Sequence, residues 1–351
     1  MAATPIYVIT GFLGAGKTTA LNAALKEPEL ARTAVLVNEF GETSLDHLFF
    51  EAGSNVVELA NGCVCCTICG ELADTLLDLP LDGIDRVVIE TTGLADPVPI
   101  LQLLTGHPEL QARFRFSGMI AFADCLNVAN QLEKHSEARR QIALADAVLI
   151  TKLDMVPDDA RIRAETDVKV HLCRLNKAAP IEAVVSSSLV SLLMTPAESA
   201  RPALPDDQHN HSHKHETHGH SHNHASHHQG IETFVLRHKK PIAYKAMEAF
   251  CELLTSAHAD TLLRIKGIVS IAGEAQPLAV HCVGGVMHEP QWLPDWPTPD
   301  HSTRIVVIVD GLEADFVERL FAGFMDIPVA DTPDSAAMTD NPLAVPGHRF
   351  G

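Results

Sequence analysis

Basic residues are scarce in this sequence. The 351 residues include 26 lysines and arginines against 45 aspartates and glutamates, a formal net charge of −19. A surface of that sign repels nucleic-acid phosphates and anionic lipid headgroups, so neither is an expected partner. Long apolar runs are also missing. No stretch of about 18 or more apolar residues occurs, so no membrane-spanning helix is expected. The first residues lack a basic segment followed by an apolar core, and 6–10 already reads as a strand. A secretory leader is therefore not expected, and the cytoplasm is the expected compartment. Cysteines are few outside one short cluster: Cys125, Cys173, Cys251 and Cys282 stand alone and are expected to be small buried hydrophobes.

What is present is enough for a packed core, since hydrophobic residues make up 46%. Short apolar runs bounded by polar or glycine-rich residues predict strands over 6–10, 34–38, 87–90, 118–124, 147–151 and 181–186. Helical periodicity falls between them, for example over 18–26, 72–78 and 127–145. That alternation predicts an α/β domain over 1–195, with a doubly wound, mostly parallel sheet. Residues 196–230 lose large apolar side chains and gain proline, acid and histidine, the composition of a flexible linker. Periodicity returns over 231–329 as a smaller α+β domain. It has strands at 233–237, 265–271, 278–283 and 305–309 and helices at 243–254 and 314–323. Residues 330–351 are rich in Pro, Asp and Gly and are expected to be disordered.

The chemistry begins at residues 11–18, GFLGAGKT, which fit G-x-x-x-x-G-K-[ST] between a predicted strand and helix. Gly11, Gly14, Ala15 and Gly16 let backbone N–H groups close on phosphate oxygens, and the helix N-terminus adds positive potential. Lys17 is placed to reach the β- and γ-phosphates, Thr18 to ligate Mg²⁺, and Thr19 follows on the same helix. Residues 87–90, VVIE, form an apolar strand ending in a carboxylate. Glu90 is thus a candidate to hold Mg²⁺ through water or to orient the attacking water. Residues 151–154, TKLD, resemble the N-K-x-D guanine motif. Asp154 would accept from guanine N1–H and its amino group, Lys152 would cover the base, and Thr151 stands where Asn is usual. The nucleotide is therefore read as GTP, with slow hydrolysis expected because no arginine finger or switch glutamine is recognisable.

Two features point to metal. Cys63, Cys65 and Cys66 sit within four residues, a thiol density that suits a soft d¹⁰ ion such as Zn²⁺ or Cu⁺. Cys69, Glu39, Glu42, His47 or a client residue would complete a tetrahedral site; a redox pair is the competing reading. Ten of the twenty histidines fall within 209–228: His209, His211, His213, His215, His218, His220, His222, His224, His227 and His228. Imidazoles are mostly neutral above about pH 6.5 and free to bind Zn²⁺, Ni²⁺ or Cu²⁺ weakly. The alternative is a solvated spacer.

Taken together, residues 10–19 (TGFLGAGKTT), 37–42 (VNEFGE), 61–66 (NGCVCC), 90–97 (ETTGLADP) and 151–154 resemble the CobW family of SIMIBI-class P-loop GTPases, in its YjiA-like branch. In the second domain, 263–267 (LRIKG) and 301–308 (HSTRIVVI) resemble it too. The resemblance implies a metal-binding GTPase that serves as a metallochaperone or insertase for a client metalloprotein, as a monomer or homodimer. It implies zinc as cargo, with Co²⁺ or Ni²⁺ as alternatives, Cys65, Cys66 and Glu42 among the ligands, and Glu39 in the Mg²⁺ and switch region. Where the family often reads G-E-V-G-I-D, residues 41–46 read GETSLD. Other readings are a histidine-rich metal buffer with residual GTPase activity, an insertase tied to cobalamin or nitrile hydratase, and a small-molecule P-loop kinase.

Overall fold

The structure is a computed structural model that describes residues 3–37, 55–58, 66–194 and 230–325. The predicted linker and tail, the histidine tract, and Glu39, Glu42, His47, Cys63 and Cys65 lie outside the described residues. The first domain runs β1 (Thr4–Gly11), α1 (Lys17–Ala24), β2 (Thr33–Val37), β3 (Asn55–Glu58), α2 (Cys66–Asp78) and β4 (Arg86–Glu90). It continues α3 (Val98–Gly106), α4 (Pro108–Arg113), β5 (Phe114–Asp124), α5 (Val128–Lys134), α6 (Ser136–Leu144), β6 (Ala147–Thr151), α7 (Asp158–Leu175), β7 (Ile181–Ala183) and α8 (Ser186–Met194). The seven strands are all parallel, in the order β3-β2-β4-β1-β5-β6-β7.

Side chains alternate across this sheet because strand residues point to opposite faces. Tyr7 and Ile9 of β1 pack against Leu21 of α1 and Leu189 and Leu193 of α8. Ile6 and Val8 face the other way, toward Leu72 and Leu76 of α2, Leu101 and Leu104 of α3, and Ile142 of α6. Both faces are covered, which is why these strands read as nearly continuous apolar runs.

The second domain comprises β8 (Ile231–His238), α9 (Tyr244–Ala257), β9 (Leu262–Val269), β10 (Leu278–Val283), β11 (Val286–Met287), β12 (Gln291–Trp292), β13 (Thr303–Asp310) and α10 (Ala314–Phe324). Its sheet follows β11-β10-β9-β13-β8, with β12 also on β10, and these strands pair antiparallel. Helices α9 and α10 cover one face through Phe250, Leu254, Val317 and Phe321. The opposite face, with Leu263, Val283, Val306 and Ile308, joins the core of the first domain. The two sheets therefore share apolar packing across α6.

A buried charge cluster seals that junction. Asp146, just before β6, accepts from Arg264 and, at 2.9 Å, from Lys266 of β9. Burial opposes the charge on Asp146, but Arg264 and Lys266 outweigh it and hold the carboxyl far below the usual range. Thr233 of β8 donates to the carbonyl of Leu175 at the end of α7, adding a neutral tie.

Several expectations need correction. The helix predicted over 127–145 is two helices broken at His135, whose extended backbone (φ −124°, ψ 119°) cannot continue a helix. The strand predicted to 186 stops at Ala183, and Ser186 opens α8. Strand β3 was not anticipated. Of the isolated cysteines, Cys251 and Cys282 are buried as expected, and burial pushes both thiols up to about 12. Cys125 is only partly buried and Cys173 is exposed, because α7 buries just one narrow face.

Candidate nucleotide-binding site

The phosphate loop is built by the join of β1 to α1. Gly16 caps α1 with φ 86°, a conformation that a side chain would strain. No residue of the first turn of α1 is itself acidic, and the helix N-terminus adds positive potential to the loop. Lys17 is the first residue of the helix and only 8% exposed; its Nζ donates to the Gly11 carbonyl at 2.8 Å. A phosphate oxygen would compete for that ammonium.

Strand β4 lies beside β1 with Ile9 opposite Glu90. That register brings Glu90, 4% exposed, to the start of α1, where Thr18 Oγ1 donates to Glu90 Oε1 at 2.6 Å. Thr19 is exposed on the next position of the helix. After Glu90 the chain folds over the phosphate loop. A Cβ at Gly93 would lie 2.5 Å from the Leu13 nitrogen, so only glycine permits this approach.

The base motif follows β6. Lys152 adopts φ 60° and turns the chain into the short helical turn Leu153–Met155, which leaves the Asp154 carboxylate exposed. Thr151 is not merely a shortened asparagine. Its hydroxyl donates to the Ala15 carbonyl at 2.8 Å, tying the base motif to the phosphate loop.

Asp124, at the end of β5, was missed from the sequence. Its Oδ2 accepts from Lys152 Nζ and from Asn127 Nδ2, each at 2.8 Å, and its Oδ1 accepts from the Leu126 N–H. Burial raises its pKa, yet these hydrogen bonds outweigh burial and hold it below the usual carboxylate range. The contact fixes the stem of Lys152. The available signal was a carboxylate at the C-terminal end of a parallel strand, where ligands of such sheets bind.

The exposed Asp154 gives a sharp prediction. Asp154→Ala should lower GTP affinity by about 30-fold or more, since a paired charge-assisted contact is worth roughly 2–4 kcal/mol. Titration with fluorescent GTP and ATP analogues checks it; equal affinity of the unmutated protein for both would sink the guanine assignment.

Strand register also aligns the ends of β2, β3 and β4. Val37, the last residue of β2, lies opposite both Glu58 of β3 and Glu90 of β4. Strands β2 and β3 thus end at the level of Glu90, within about two strand spacings, roughly 10 Å, of it. Cys66 opens α2, and Cys69 follows three positions later in the same helix. Among the described residues no group of three or more His, Cys, Asp and Glu side chains is assembled to hold a metal.

A glycine-rich loop, a strand-end carboxylate and a T-K-x-D turn on a parallel sheet, joined to a second antiparallel domain, define a recognisable architecture. Residues 5–182 match the model of the CobW/HypB/UreG nucleotide-binding domain, and residues 231–325 match the cobalamin synthesis protein cobW C-terminal domain. The chain belongs to the CobW family. Within it, the chain is 31% identical over 340 residues to the zinc chaperone YjiA of Escherichia coli, covering 91% of this chain and 98% of that one. It is 32% identical over 352 residues to the zinc chaperone CobW of Pseudomonas aeruginosa, covering 89% of each. The crystal structure of Zn(II)-bound YjiA GTPase from E. coli superposes with a TM-score of 0.65 at 27% identity, covering 92% of this chain and 99% of that one. In this CobW-family chain no helix among the described residues is long and apolar enough to cross a membrane.

Proposed function

We propose that this CobW-family protein is a GTP-hydrolysing metallochaperone that binds zinc at Cys63, Cys65 and Cys66, with Glu42 as a further ligand, and passes it to a client metalloprotein. The zinc chaperone relatives and the zinc-bound structural relative support the cargo. The observation that carries the coupling is the register at Val37. Strands β2 and β3, which precede Glu42 and the thiols in the sequence, both end in register with Glu90, which is hydrogen-bonded to Thr18.

The nucleotide chemistry assigned to the chain needs positioning more than covalent steps. Lys17 and the N-terminus of α1 bind and orient the phosphates. Thr151, Lys152 and Asp154 hold the guanine, and Asp124 steadies Lys152. Thr18 Oγ1 and Glu90 Oε1 are hard oxygen donors 2.6 Å apart, a pair that fits Mg²⁺. Bound there, Mg²⁺ would neutralise charge on the phosphate oxygens. Glu39 belongs to the same region in this reading. The histidines of 209–228 are a weaker, exchangeable reserve.

A nucleotide alters metal affinity only if the two conformations hold the metal differently. Zinc affinity, measured by competition with a chelating dye, should differ between a non-hydrolysable GTP analogue and GDP by about 5–150-fold, the usual span of allosteric coupling. Linkage requires zinc to change GTP affinity by the same factor. A ratio of one would uncouple the two sites and leave the histidine-rich metal buffer as the better reading.

A further inference from the structure

The contacts of α6 join the segment that follows Glu90 to the second domain. Gln141, 1% exposed, donates from Nε2 to the Gly93 carbonyl at 3.2 Å and the Ala95 carbonyl at 3.0 Å. Its neighbour Arg140 reaches in two directions. One terminal nitrogen donates to Asp96 Oδ2 at 2.5 Å, while the other terminal nitrogen and Nε donate to Asp310 Oδ2 at 2.9 and 3.3 Å. Asp96 Oδ1 accepts from the Val98 N–H and so sets the start of α3. Asp310 ends β13, and its own N–H donates to the Thr261 carbonyl of the loop before β9. A second tie runs parallel: Gln102 of α3 donates to the Gly284 carbonyl at 2.5 Å, between β10 and β11.

One guanidinium thus serves two carboxylates from different domains. Each would repel the other without it, and all three side chains are about one-third exposed, so the balance stays adjustable. Burial disfavours the charge on Arg140, and the two acids more than restore it. The other end of the segment, Gly93, rests on Leu13 of the phosphate loop. Gly93 and Asp96 thus lie on one short segment between the phosphate loop and Arg140.

We propose that Arg140 is a coupling residue. It transmits nucleotide-dependent movement of residues 91–97 to the second domain through Asp310, and lets a protein docked on that domain alter GTP turnover. The proposal rests on the GTPase reading above and adds the route by which nucleotide state reaches the second domain. Its effect is positional, exerted through Asp96 and Asp310.

The test uses the full chain. Binding of fluorescent GDP and of a non-hydrolysable GTP analogue is measured first; a wild-type protein that binds neither refutes the GTPase reading, not this one. Amide hydrogen exchange is then compared between the two nucleotide states over 258–262 and 303–310. Wild type should show a change of threefold or more. Asp310→Asn, nearly isosteric, should keep analogue affinity within threefold and lose the exchange difference. Arg140→Lys, which keeps the charge but cannot bridge both acids, should retain only part of it. Melting curves confirm that both variants fold, and either variant alone suffices. A wild-type protein that binds nucleotide without an exchange difference, or variants that respond as fully as wild type, would overturn the proposal.

Discussion

Replacing Lys17 with alanine is expected to lower GTP turnover by about 10²–10³-fold, the usual cost of removing one pre-positioned donor from a phosphate or oxyanion site. The ammonium lies at the first turn of α1, is 8% exposed, and is held at 2.8 Å from the Gly11 carbonyl. In such a partly desolvated position a positive charge acts on developing phosphate charge far more strongly than in water. The variant should fold, because alanine is a good helix former at this position and the surrounding backbone is set by Gly16 and β1. Phosphate release under saturating GTP, beside melting curves without nucleotide, is the measurement. Turnover within threefold of wild type in a folded Lys17→Ala protein would remove the assignment of residues 11–18 as the phosphate site.

Changing Cys65 and Cys66 together to serine should abolish tight zinc binding, lowering affinity by about a thousandfold or more. Complete thiolate- and imidazole-ligated zinc sites are worth roughly 10–16 kcal/mol, and a thousandfold corresponds to only about 4 kcal/mol. Hydroxyl oxygens replace thiolates poorly for this ion. Because each thiol must lose a proton to bind, affinity of the unmutated protein should fall as pH is lowered. Deleting 209–228 should leave the tight site in place and remove only weaker ions. Competition titrations on the three proteins decide the matter. If the deletion removes the tight site while the double serine variant keeps it, zinc resides on the histidine tract.

The candidate nucleotide site stands out in the sequence because the chemistry proposed for it demands contiguous residues. A loop that wraps phosphate needs glycines and a lysine at set spacing, so GFLGAGKT announces itself without any knowledge of neighbours. TKLD does the same for the base. Asp124 was not legible, since an aspartate ending a strand has many uses and its partner Lys152 is 28 positions away. The role of Thr151 was hidden too, as its acceptor at Ala15 lies 136 positions back.

Element types followed from local composition, and their failures have local causes. β3 is only four residues, too short for an apolar pattern to stand out. The break at His135 is a backbone event inside a stretch whose apolar periodicity continues from Val128 to Ile142. The serines at 186–188 disguised a helix start as a strand end.

By itself, the sequence determined the type of most elements and suggested the ligand chemistry of the loops, because side-chain type and period are properties of short stretches. The tertiary structure alone decided that β1 lies between β4 and β5, and that Thr18 meets Glu90. It also decided that Val37 is flanked by Glu58 and Glu90, and that Arg140 is shared by Asp96 and Asp310. Those pairings join residues up to 170 positions apart. Nothing in either partner's local pattern names the other; the register of a buried sheet and the docking of two cores bring them together.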